Sequence, residues 1–186
     1  SSSDGRELFS KKELVSLFKV ETVSKSNAIF DVAKLNWMNG HYIRAMSDSE
    51  LAARLTNYWE DFPPDDFDRK PSLNEIRAVT SLVKERIKIL SEASALIAFV
   101  FKDEIKFEPE ELVQKGMDEE STKKILQEVS ETLSKINSFS SSEIEIELRS
   151  LSDSMDIKVG VLLGTVRVAT SGQKVSPPLF ESLEVL

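Results

Sequence analysis

The chain has 186 residues, of which 40% are hydrophobic and 30% charged, with a net charge of −8. That length allows one globular domain or two small ones, each with its own core. No apolar run approaches the roughly 20 residues a membrane helix needs, Ser1-Ser2-Ser3-Asp4-Gly5 has no signal-peptide pattern, and the absence of cysteine removes disulfides and thiolate chemistry, which suits a cytosolic protein.

Helix signals then follow in dense succession. Ser10 with Glu13 forms a capping-box pattern before Leu14, Val15, Leu17 and Phe18. Asp31 can cap a short helix that runs through Met38 and that Gly40 would stop. Ser47 with Glu50 opens a second box, continued by Leu51, Leu55 and Trp59, and Phe62-Pro63-Pro64-Asp65-Asp66 breaks it. Ser72 with Glu75 starts a long helix expected to run through Ile76, Val79, Val83, Ile87 and Leu90.

Ala93 to Phe101 is strongly apolar and reads as a buried continuation of that helix. Another helix is expected near Pro109, since proline is tolerated in a first turn. Ile125, Val129, Leu133 and Ile136 mark one further helix, and Ile144, Leu148, Leu151 and Met155 the next. Gly160 and Gly164 flank a short apolar segment, Thr170 to Ser176 reads as a loop, and Pro177-Pro178 opens a last helix. The serine run at the start and the mid-pattern end at Glu184-Val185-Leu186 make a fragment the expectation. The whole pattern predicts an all-α, multihelical protein.

Charge is unevenly placed. Residues 1–44 hold seven Lys/Arg against five Asp/Glu, residues 157–186 hold three against two, and residues 45–156 hold fourteen against twenty-five. A polyanion could meet the two weakly basic ends while the acidic middle faces solvent; a solvated acidic surface without such a partner fits the charge equally well. Catalytic chemistry finds no foothold. His41 is the single histidine, no phosphate-cradling glycine loop is present, and the carboxylates follow helix-surface spacing, so no catalytic residue and no metal-ligand set is expected.

One residue stands out on geometry. With Ile76 at zero and about 100° per residue, Val79, Leu82, Val83 and Leu90 fall in one apolar arc, and Arg86 falls inside it at about 280°. Arg77, Lys84 and Lys88 fall on the opposite side. A charge on an apolar arc needs a partner, either a carboxylate within the protein or an external base edge or phosphate. Near the other end, Arg167 offers a planar fork and Phe180 a ring, on either side of a weakly charged loop stiffened by two prolines; RNA readers use such planes to stack unpaired bases. Ser176 can cap the last helix. The competing reading is that Pro177 and Phe180 simply start and pack a C-terminal helix.

Two long stretches carry a family resemblance. Thr22-Val23-Ser24-Lys25-Ser26-Asn27-Ala28-Ile29-Phe30-Asp31 runs into Lys34-Leu35-Asn36-Trp37-Met38-Asn39-Gly40-His41-Tyr42-Ile43-Arg44. This is very similar to the segment just after the catalytic loop of bacterial glutamyl-tRNA synthetases. Val166-Arg167-Val168-Ala169-Thr170-Ser171-Gly172 followed by Val175-Ser176-Pro177-Pro178-Leu179-Phe180-Glu181 resembles the last anticodon-contacting loop of the same family, with Val83-Lys84-Glu85-Arg86 between them in the expected order. Val23-Ser24-Lys25-Ser26 alone resembles the Lys-Met-Ser-Lys-Ser loop of an ATP site, but that loop needs a nucleotide-binding fold upstream, and the catalytic reading is rejected.

The resemblance implies an all-α helical cage, the anticodon-binding portion of such an enzyme: the end of a stem-contact region over 1–45, then helical subdomains over 46–104 and 105–186. It implies anticodon-binding residues Arg86, Arg167, Ser176, Pro177, Leu179 and Phe180, and tRNA stem contacts at Lys34, Trp37 and Arg44. The expected partner is tRNA(Glu), with tRNA(Gln) left open, for a cytoplasmic monomer without membrane contact. The parent enzyme would join glutamate to tRNA with ATP and Mg, whereas this fragment is expected to hold no cofactor and to be inactive alone. The rival function is a helical protein-interaction module with no RNA role.

Overall fold

The structure, a computed structural model, describes residues 6–22 and 30–186. The Val23-to-Ile29 part of the first resemblance, with the rejected ATP-loop pattern, lies outside the described residues. Among the described residues the secondary structure is entirely helical. In chain order the helices are α1 (Lys11–Leu17), α2 (Val32–Ala45), α3 (Asp48–Asp61), α4 (Leu73–Lys84), α5 (Glu92–Ile97), α6 (Pro109–Leu112), α7 (Glu119–Lys135), α8 (Ser141–Ser154), α9 (Val159–Ser171) and α10 (Leu179–Val185), with 3₁₀ turns at Val20–Thr22 and Ala98–Phe101. None is long and apolar enough to cross a membrane.

Several starts stand where the caps placed them. Ser10 and Ser72 each accept from the backbone N–H three residues on, while Glu13 and Glu75 reach back to the cap N–H, so both boxes are complete. Asp31 accepts from Lys34 N at 3.0 Å. Ser47 caps α3, but Glu50 turns to Arg54 at 3.1 Å instead of closing a box.

Three expectations are overturned by packing. Gly40 does not stop α2; the helix runs on to Ala45. The glycine serves close approach instead, because a Cβ there would stand 3.2 Å from Arg44 Nη1 and 3.3 Å from Lys88 Cγ. The helix from Ser72 ends at Lys84 rather than Leu90, and Ala93–Phe101 is a separate segment, α5 plus a 3₁₀ turn. Between them the Glu92 carboxylate captures the N–H groups of Lys88 (2.6 Å) and Ile89 (3.4 Å), while Ile87 is fully buried. Those side-chain-to-backbone bonds compete with helix continuation, and the core position of Ile87 fixes the turn. Gly160 and Gly164 do not bound a segment; both lie within α9, which continues to Ser171 before Gly172 ends it in the left-handed region at φ 68.

Two cores form. The first gathers Ile43 from α2, Leu51, Leu55 and Trp59 from α3, Ile76, Val79, Leu82 and Val83 from α4, and Ile87, Ala93, Ile97 and Phe101 beyond it. The second gathers Ile125 and Val129 from α7, Ile144 and Leu148 from α8, Leu162 and Val166 from α9, and Leu179 and Leu183 from α10. Each fully buried leucine or isoleucine contributes about 1.5–3 kcal/mol relative to exposure. The short α10 bridges the two, since Leu179 and Leu183 enter the second core while Val185 packs against the first. That bridge places the loop before α10 next to the turn after α4.

Candidate nucleic-acid interface

Arg167 organises the loop that precedes α10. It sits on α9, half-buried, and its Nη1 donates to Ser176 Oγ at 2.6 Å, Pro177 O at 2.9 Å and Ser176 O at 3.4 Å. All three acceptors are neutral, so no carboxylate balances the guanidinium. Burial, and next the nearby guanidinium of Arg86, push the Arg167 pKa below the ordinary arginine value. Arginine remains charged under such a shift. Among the described residues neither guanidinium has an ion-pair partner, so two like charges act on each other at a cost that an external anion would remove.

Arg86 does not lie on an apolar helix arc. It stands in the turn after α4, its N–H bonded to Val83 O at 2.8 Å and its side chain exposed. The neighbour on the core side is Ile87, fully buried. The electrostatic proximity of Arg86 to Arg167 thus comes about through a turn, not a helix face.

The other loop residues divide. Ser176 does not cap α10; Pro178 occupies the N-cap, and the Ser176 hydroxyl accepts from Arg167 and donates to Pro177 O at 3.2 Å. Pro177 is buried, and Leu179 is 5% exposed within the second core, so their side chains shape the loop from behind. Phe180 is half-buried, packed on one side against the second core and open on the other. The ring thus packs as the start of a C-terminal helix would have it, and part of it stays exposed.

The expected stem contacts share α2. At about 100° per residue, Lys34, Trp37 and Arg44 fall within an arc of about 80°. Lys34 is exposed and ion-paired with Glu7. Trp37 is 46% exposed, and Arg44 is half-buried over Gly40. His41 is exposed on the same face, edge-on to Tyr42 with ring centroids 6.0 Å apart. Tyr42 itself donates to Phe9 O at 2.9 Å and ties the α1 segment to α2. Sequence reasoning missed Asn39, whose Nδ2 donates to Lys88 O at 2.5 Å and docks α2 on the turn after α4. It also missed Gln173, whose amide reaches Ala95 O at 3.5 Å and joins the α9 end to α5. Neither contact has a local signal, because the partners lie 49 and 78 residues away.

A cavity of about 400 Å³ lies elsewhere, between α3 and the loop after it, lined among others by Thr56, Trp59, Phe67, Arg69 and Ile76. None of the expected anticodon or stem residues lines it. At the cationic junction Arg86 is exposed and Arg167 half-buried.

Fold and surface together define an all-helical module that presents unpaired arginines at a loop–helix junction. The model of the anticodon binding domain family matches residues 50–186, and the chain belongs to that family. It is also similar to the glutamate–tRNA ligase of Dehalococcoides mccartyi, 36% identical over 183 residues that cover 98% of this chain and 38% of the relative. The glutamate–tRNA ligase of Acidothermus cellulolyticus is 36% identical over 190 residues, covering all of this chain and 37% of the relative. The chain thus spans somewhat more than a third of the curated relatives it matches. A solved glutamate tRNA ligase from Elizabethkingia meningosepticum, in complex with its amino acid, has the same fold over 98% of this chain and 35% of its own, with a TM-score of 0.82 and 21% identity.

Proposed function

We propose that this chain is the tRNA-holding module of a glutamate–tRNA ligase. The observation that carries the reading is the Arg86–Arg167 junction, two uncompensated guanidinium groups beside a loop that Arg167 itself braces. In this reading Arg86, Arg167, Ser176, Pro177, Leu179 and Phe180 form the anticodon pocket. Arg86 and Arg167 supply donors to base edges, Phe180 a stacking face, and the other three the rigid floor. Lys34, Trp37 and Arg44 on α2 meet the stem, so residues 1–45 end a stem-contact region, and 46–104 and 105–186 are the two helical subdomains of the cage.

The whole enzyme would join glutamate to tRNA(Glu) with ATP and Mg, working as a cytoplasmic monomer, and the module itself would activate no amino acid. Titration of the chain with tRNA(Glu) and with an unrelated tRNA, at low and at physiological salt, tests this. Selective, salt-sensitive binding is expected, because each phosphate contact releases counterions. Equal binding of both tRNAs defeats the selective reading, and no binding of either favours a protein-interaction module. Adding tRNA(Gln) to the same titration decides whether the module accepts that partner as well. Glutamate-dependent exchange of pyrophosphate into ATP by the chain alone would contradict the division of labour.

A further inference from the structure

A second cationic locality lies apart from the Arg86–Arg167 junction, at the seam where α2 docks on the turn after α4. Gly40 is buried there because two cationic side chains cover it: one point, the place a Cβ on Gly40 would occupy, lies 3.2 Å from Arg44 Nη1 and 3.3 Å from Lys88 Cγ. Asn39 clamps the same seam through Lys88 O.

The composition makes the lack of compensation informative. The chain has 32 carboxylates against 24 Lys and Arg residues, so a bare cation is never short of acids. Neighbouring cations do find them: Lys84 pairs with Asp48 at 2.9 Å, and Lys34 with Glu7. Yet among the described residues neither Arg44 nor Lys88 has an ion-pair partner, although Glu92 stands four residues from Lys88. The Glu92 carboxylate is turned onto the Lys88 and Ile89 backbone N–H groups and away from duty as a counter-ion. Lys88 is exposed and two residues from Arg86, which in turn stands beside Arg167. Arg44 thus stands by Lys88, Lys88 is two residues from Arg86 in the same turn region, and Arg86 acts on Arg167.

We propose that Lys88 and Arg44 form a phosphate-binding station for an RNA strand, midway on a cationic track that joins the α2 face to the Arg86–Arg167 junction. The proposal rests on the tRNA-holding reading above and adds to it a positioning residue, Lys88. An ammonium on a flexible stem suits a phosphate oxygen as a point charge, whereas base reading favours the arginine fork. Contacts of this kind set the register of a nucleic acid without reading its sequence.

The experiment titrates a tRNA transcript with a glutamate anticodon, and a second transcript altered only in the anticodon, into wild type, Lys88→Ala, Lys88→Arg and the control Lys124→Ala on α7. Lys88→Ala is expected to bind both transcripts about tenfold more weakly at low salt, the usual worth of a charge-assisted hydrogen bond. The slope of log affinity against log salt is expected to fall by about one. Lys88→Arg should restore both, Lys124→Ala should change neither, and circular dichroism should match wild type, because only the Lys88 backbone takes part in the fold's hydrogen bonds. Unchanged binding by Lys88→Ala, with wild type still binding, overturns the station and leaves the tRNA-holding reading standing. A loss confined to one transcript makes Lys88 a base reader and overturns the backbone role. No binding by wild type removes both.

Discussion

Arg86 shows how one side chain gains meaning from its turn. It is exposed between Glu85 and the fully buried Ile87, and so is fixed at the backbone and free at the tip. A guanidinium only donates, and its fork can give two hydrogen bonds to one base edge, whereas a glutamine amide both donates and accepts. Arg86→Gln should therefore relax discrimination at one anticodon base more than it lowers overall affinity, by about 1–3 kcal/mol of discrimination. Paired titrations with two tRNAs differing only at the third anticodon position measure it; equal losses for both would make Arg86 a general electrostatic contact. Phe180 is tested by two substitutions, because its ring both packs on the second core and faces outward. Phe180→Ala should lower the melting temperature and weaken binding by about 1–3 kcal/mol, the usual worth of one base–aromatic stack. Phe180→Leu should keep most of the stability but not the stack. If Phe180→Leu binds as wild type does, the ring only packs.

At the level of elements, the end of α9 decides how the loop before α10 leaves the helix. Gly172 ends α9 at φ 68, and a Cβ there would stand 2.7 Å from the backbone oxygen of Lys106. Gly116 has φ 88 but open space around it. Both Gly172→Ala and Gly116→Ala carry the left-handed cost of about 1–2 kcal/mol; only Gly172→Ala must also displace backbone. Urea unfolding should show Gly172→Ala to be the more destabilising of the two. Because residues 173–177 lead directly from this cap, Gly172→Ala should also weaken tRNA binding, and Gly116→Ala should not. Equal unfolding midpoints would mean that the contact with Lys106 is free to relax. The starts of α1 and α4 were legible from Ser10 with Glu13 and Ser72 with Glu75, because a capping box is a contact over three residues. The end of α4 was not, because the competing partner is the Glu92 side chain and the competing force is burial of Ile87.

For the molecule as a whole, acid should act through carboxylates used as caps and in ion pairs. Glu75 is held at about 2, chiefly by the hydrogen bond from Arg69 and then by Ser72, against a usual 4.5. Glu13, Asp118 and Glu184 are also lowered, mainly by hydrogen bonds from Ser10, Ser121 and Ser141. In each case the folded state binds fewer protons than the unfolded one. Their stabilisation is thus complete above the ordinary carboxylate range and is lost as pH falls through the folded values. Melting temperature should hold steady from neutral pH to about 5 and then fall, for Glu75 over the window from about 4.5 down to about 2. Glu75→Gln should lower stability at pH 7 and flatten the acid limb; an acid limb identical to wild type would mean that the Arg69 pair contributes nothing. The sites are exposed, so high salt should shrink the Arg69–Glu75 part of the effect.

What the sequence determined by itself is the all-α class, most helix starts and the chemistry available at each end, because caps, hydrophobic period and residue type are local. It also held the Arg167-to-Phe180 stretch as a unit, since the residues that build that loop are neighbours in the chain. Only the tertiary structure decided that Gly40 would be a contact rather than a stop. It likewise turned the chain after Lys84 and brought Arg86 beside Arg167. Those outcomes depend on Lys88 meeting Gly40, Ile87 entering the first core and α10 bridging two cores, contacts between residues far apart in the chain that no local pattern encodes.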